Sequence, residues 1–127
     1  MKNIILLVIL FVSLTSAQNC KQISDETKDS IKDDMWERRH TIMLVESGVI
    51  CDNGLFYKSY YPSDDAYSCT YENWSKHQRT FIITIKDISY TSFQEFDEIG
   101  MEISRSELIK TSRSCIDIYK QFRREMK

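Results

Sequence analysis

His40 and His77 are the only histidines of the chain, and imidazoles are the side chains best suited to acid–base work on a phosphodiester near neutral pH. Such ribonuclease-like hydrolysis needs both rings within hydrogen-bond reach of one substrate, and no local motif makes His40 and His77 converge. Two ordinary surface histidines is the plainer reading. Other chemistries have less footing: no Gly-x-Ser-x-Gly elbow supports a serine hydrolase, and no glycine-rich calcium loop supports a phospholipase. The 19 acidic residues offer many carboxylate pairs, but spacing in sequence does not encode the separation in space that glycoside cleavage requires. The expectation is therefore a non-enzymatic protein without a cofactor, with a small hydrolase using His40 or His77 as the alternative.

Cys20, Cys51, Cys69 and Cys115 supply the other reactive groups. No Cys-x-x-Cys or His-x-x-x-His pair occurs, so structural zinc lacks its usual closely spaced ligands and no metal is expected. An even set of cysteines in an exported chain points instead to two disulfides. Spacing alone does not choose among the three connectivities. The favoured one joins Cys51 to Cys69 across a turn-rich segment and Cys20 to Cys115, tying the amino end to a late helix.

Recognition chemistry is concentrated in Tyr57, Tyr60, Tyr61, Tyr67, Tyr71 and Trp74, with Phe56 beside them. Tyrosine offers a large contact area with a polar tip, which suits interfaces, although cross-strand aromatic pairs also simply stabilise hairpins. These six residues are the candidate binding set, for an extracellular protein partner. Asn73-Trp74-Ser75 is a glycosylation sequon, which predicts an exposed hairpin end at Asn73. A further class is a carrier of an apolar ligand, with Phe81, Ile83, Phe93 and Phe96 lining a pocket between sheet and helices.

Export itself is read from Met1 to Ala17. Lys2 provides a positive start, Ile4 to Val12 an apolar run, and Thr15 and Ala17 small residues for a peptidase, so residues 1–17 are expected to be a cleaved signal. The apolar run is well short of the roughly 20 residues of a spanning helix, which predicts no membrane insertion. Removing it leaves about 110 residues, 18–127, the size of one secreted domain. A formal net charge of −2 and basic doublets flanked by glutamate argue against a nucleic-acid partner.

The elements that must position these groups read as helix, strands, helix. Ser24 or Asp25 caps a helix whose apolar stripe, Ile31, Met35, Ile42, Val45 and Val49, runs toward a stop at Gly48. The competing reading breaks it near His40 and makes 41–50 a strand, because β-branched residues are dense there. Asn53-Gly54 and Pro62-Ser63-Asp64-Asp65 are turn signals, so 55–61 and 66–74 form a hairpin, and 79–90 a third strand. Capping boxes Ser92/Glu95 and Ser104/Glu107 predict two carboxyl-terminal helices, the second with a seam through Leu108, Ser112, Cys115, Tyr119, Phe122 and Met126. The expected fold is α+β: an amino-terminal helix, a short antiparallel meander of three or four strands, carboxyl-terminal helices and two disulfides. The alternative is an all-α disulfide-linked bundle. The helix-then-meander order is similar to cystatin-like architecture, with no inhibitor-loop motif of that family.

Overall fold

The computed structural model describes residues 19–39 and 42–126; the expected signal segment and His40 lie outside them. Ser24 ends the chain's lead-in by accepting the Thr27 amide on its Oγ at 3.2 Å, and Asp25 and Glu26 place negative charge in the first turn that follows. Helix α1 therefore runs Asp25–Arg39. It does not continue to Gly48. The β-branched residues Val45, Val49 and Ile50 instead form strand β2, Leu44–Cys51, as the competing reading held. Gly48 is needed for close approach, because a Cβ there would meet the Phe56 carbonyl at 2.6 Å and Ile23 Cδ1 at 2.7 Å.

The rest of the chain is dominated by one antiparallel sheet, which overturns both the short meander and the all-α bundle. Its strands are β1 Lys21–Gln22, β2, β3 Gly54–Tyr61, β4 Ala66–Asn73, β5 Gln78–Ile85, β6 Ile88–Phe96, β7 Glu102–Arg105 and β8 Ile109–Thr111. Neighbours follow chain order from β1 to β7, and β8 also pairs with β6. The segment read as one third strand is two, folded at Lys86-Asp87. Both residues have positive φ, 51° and 66°, the backbone of a tight two-residue hairpin turn that has neither glycine nor asparagine to announce it.

Both expected helices at 92 and 104 are strands. Ser92 and Glu95 have capping-box spacing, but Ile88 to Phe96 is rich in aromatic and β-branched residues and pairs with β5 from Ile85↔Ile88 to Gln78↔Glu95. A working capping box lies further on, at Ser114 and Asp117, where aspartate does the work assigned to glutamate in the usual pattern. It starts α2, Cys115–Glu125. The seam survives from Cys115 through Tyr119, Phe122 and Met126, joined by Ile118, whereas Leu108 is exposed beyond the helix.

Alternation along β3 divides the core in two. Phe56 faces α2 in a cluster with Cys51, Cys69, Tyr71, Ile82, Ile118 and Phe122. Leu55, Tyr57 and Tyr61 face the other way, where Ile31 of α1 packs against both of the remaining clusters. The helices thus cover opposite faces of the sheet.

The disulfides are Cys20–Cys51 and Cys69–Cys115, not the pairing expected from sequence. β1 pairs Lys21 with Ile50, which brings Cys20 beside Cys51 at a Cα separation of 4.2 Å. Cys69 lies opposite Lys58, itself opposite Ser47, so two strands and four residues separate it from Cys51. Strand spacing and rise make that about 16 Å, far beyond a disulfide's reach. The first residue of α2 supplies the near partner instead, Cys115, at 5.2 Å.

At its far end α2 is latched by Glu125, which accepts hydrogen bonds from the Tyr71 hydroxyl and, at 3.1 Å, from Asn73 Nδ2. Burial pushes the Glu125 carboxyl up, but these bonds and the Lys76 charge outweigh it and hold the group below its ordinary 4.5. A carboxylate depressed in the folded state stabilises fully above its unfolded value and loses that contribution as pH falls through the folded one. Melting temperature is therefore expected to drop below about pH 4.5, and Glu125→Gln to make that acid limb shallower while lowering the value at pH 7. An acid limb identical in the variant would remove Glu125 from the account.

Candidate binding cavity

The face under α1 carries polar groups where a plain core would be apolar. Glu72 of β4 and Arg79 of β5 are cross-strand partners, and Gln94 of β6 continues the row. Arg79 Nε and Nη2 both reach Glu72 Oε2, at 3.0 and 2.9 Å, and Nη1 donates to Gln94 Oε1 at 3.1 Å. Trp74 Nε1 donates to the other Glu72 oxygen at 3.0 Å. The Arg79 guanidinium also lies 5.6 Å from the centre of the Phe96 ring, and His77 stacks on that ring at 5.7 Å.

Above this row, between α1 and the sheet, is a cavity of about 790 Å³. Ile31, Leu55, Phe81 and Met101 give it apolar walls, and Tyr57, Thr70 and the Glu72–Arg79–Gln94 row its polar floor. Burial pushes the Tyr57 phenol up to about 12, partly offset by its hydrogen bond to Thr70, so Tyr57 stays a neutral donor throughout the physiological range. An adjoining opening shares Asp34, Glu72 and Arg79 and adds Trp74, His77 and Phe96.

The sequence-predicted binding set is dispersed by strand alternation. Tyr57 and Tyr61 are buried on the α1 face, and Trp74 packs at its margin. Tyr71 is buried beneath α2. Only Tyr60 and Tyr67 form an accessible pair, with ring centres 4.7 Å apart, Tyr67 49 % exposed and the Tyr60 hydroxyl donating to Asp65 at 2.9 Å. Of the apolar-pocket candidates, Phe81 lines the cavity and Phe96 its adjoining opening. Ile83 packs instead with Met43, Tyr61 and Ala66, and Phe93, opposite Thr80, is exposed on the other face.

The turn after Asn73 is exposed at Ser75 and Lys76, whereas the Asn73 side chain itself is buried. It is 5 % exposed, with Nδ2 donating to the Tyr71 hydroxyl and Glu125 and Oδ1 accepting from Ser75 and Lys76. His77 stacks on Phe96 and lines the opening, while its proposed catalytic partner His40 lies outside the described residues. Among the described residues no group of His, Cys, Asp and Glu is arranged to hold a metal ion, and no helix is long and apolar enough to cross a membrane.

Sequence reasoning missed Glu72, Arg79 and Gln94 because each is an ordinary surface residue until strand register aligns them. The available signal was a charged or polar residue at the inward position of three successive strands. Searches of protein-family models, curated proteins and solved structures find no match, cystatin-like families included.

Proposed function

We propose that this chain is a secreted, non-enzymatic binding protein that holds a small amphipathic ligand in the cavity between α1 and the sheet. The observation that carries this reading is the pairing of a cavity within the roughly 300–1,000 Å³ range of ligand pockets with an ordered polar row on its floor. Withdrawing an ion pair from water gives a sheet little net stability, so the Glu72–Arg79 pair is better accounted for by a ligand than by folding alone. Two disulfides fit an oxidising compartment, in agreement with the export signal read from residues 1–17.

The test is uptake of Nile red, an uncharged solvatochromic dye, by the disulfide-intact protein. Saturable binding near one equivalent is expected, with at least tenfold weakening in Ile31→Trp, which places an indole in the helix-side wall. Absence of saturable binding, or unchanged binding in the variant with an unaltered circular dichroism spectrum, would overturn the cavity as the site. A second reading, recognition of an extracellular protein, rests on the accessible Tyr60–Tyr67 pair. Its variant is Tyr67→Ala, which should leave dye uptake unchanged.

A further inference from the structure

Resting on the cavity as a ligand site, we infer that the turn from Asp97 to Met101 is its lid, and that Ile99 and Met101 are the residues that close over the apolar end of a bound ligand. The turn joins β6, which ends at Phe96, to β7, which begins at Glu102. It stands where the two openings meet: Gly100 and Met101 line the cavity, and Asp97 to Gly100 line the adjoining opening. Ile99 is nonetheless 83 % exposed and Met101 62 % exposed. A single exposed apolar side chain calls for no explanation, but these two have an apolar surface within reach that would take them out of water. Trp74 and Phe96 share the opening with Ile99, and Leu55 and Phe81 share the cavity with Met101. A ligand whose polar end sits on the Glu72–Arg79–Gln94 floor presents its apolar end to this mouth.

The backbone lets the turn move as one piece. The Asp97 amide donates to the Met101 carbonyl at 2.9 Å, and the Gly100 amide donates to the Asp97 carbonyl at 3.1 Å. Asp97 Oδ1 accepts from the Ile99 and Met101 amides at 3.0 and 2.9 Å. All of these bonds lie inside the turn, so swinging it about its ends breaks none of them. Those ends are held. The Phe96 amide donates to the His77 carbonyl at 3.0 Å and its ring stacks on the His77 imidazole, while Glu102 is bound to Arg105 at 2.9 Å. Between them Gly100 sits at φ 87°, left-handed backbone that residues with a Cβ rarely adopt, and a Cβ placed there would meet nothing within 4 Å. No neighbour wedges the turn on that side. A lid must open before a ligand leaves, so its apolar side chains act on escape more than on entry.

Stopped-flow release of Nile red from the disulfide-intact protein tests the assignment. The double variant Ile99→Ser with Met101→Ser is expected to release the dye about tenfold faster, with association changed by less than about threefold. Ile103→Ser is the control, because Ile103 is 63 % exposed just inside β7 and lines neither opening. Its release rate should match that of the unaltered protein. Hydrogen exchange gives a second readout: saturating dye should slow exchange in a peptide spanning Asp97 to Met101 and leave the turn from Pro62 to Asp65, at the other end of the strands, unchanged. Unaltered release in the double variant, equal acceleration by Ile103→Ser, or unaltered exchange across Asp97 to Met101 would overturn the lid, and leave the cavity standing where uptake is saturable and sensitive to Ile31→Trp. Absence of saturable uptake would bring down both.

Discussion

Phe122→Ala is expected to lower the unfolding free energy by about 3–5 kcal/mol, a large share of what a domain of this size possesses. Phe122 is fully buried, and its ring meets Phe56 at 6.0 Å, Tyr119 at 6.5 Å and the edge of Tyr71 at 5.4 Å. Truncation removes the transfer contribution of the ring and also leaves a hole bounded by two strands and the helix's own neighbours. That hole cannot collapse easily, because Cys69–Cys115 fixes one end of α2 and Glu125 holds the other. Ile116 on the same helix is 61 % exposed, and Ile116→Ala should change stability by no more than about 0.5 kcal/mol. Urea unfolding of both variants checks the contrast. Equal effects would mean that α2 does not pack on the sheet by the face described.

How much of this was legible beforehand follows from what each signal encodes. The hairpin at Pro62 to Asp65 was readable because turn residues and period-two patterning coincide there. The α1 cap was readable for a similar reason, since Ser24 and the acids after it act within one turn. The carboxyl-terminal third was not. Ser92 and Ser104 have the spacing of a capping box, yet a cap only terminates a helix that the following residues will form, and those residues pair as strands across a distance that local pattern does not record. The same limit hid the Glu72–Arg79–Gln94 row, which exists only through register. It also misdirected the tyrosines, since adjacent Tyr60 and Tyr61 necessarily point to opposite faces of a strand.

Register also decides the second large effect, the loss of Cys69–Cys115. The double variant Cys69→Ala with Cys115→Ala releases a crosslink spanning 46 residues, and on the chain-entropy model it should be less stable by about 4 kcal/mol. Cys20–Cys51 spans 31 residues, and the same model gives it nearly as much. Chain entropy alone therefore separates the two bridges poorly, and their positions must do it. Cys20–Cys51 ties down a two-residue edge strand that can fray while the rest of the sheet stays paired. Cys69 is fully buried in the middle of β4 and Cys115 begins the helix that covers it, so losing this bridge frees α2 and the whole cluster beneath. Each bridge joins a buried cysteine to a half-buried one, so the order of reduction follows which end opens first, and the two-residue edge strand frays before α2 lifts from its cluster. Under limiting dithiothreitol at neutral pH, alkylation and peptide mapping should recover Cys20 and Cys51 as labelled thiols well before Cys69 and Cys115. A mapped Cys51–Cys69 peptide in the unreduced protein would refute the strand register on which the fold and the cavity both depend.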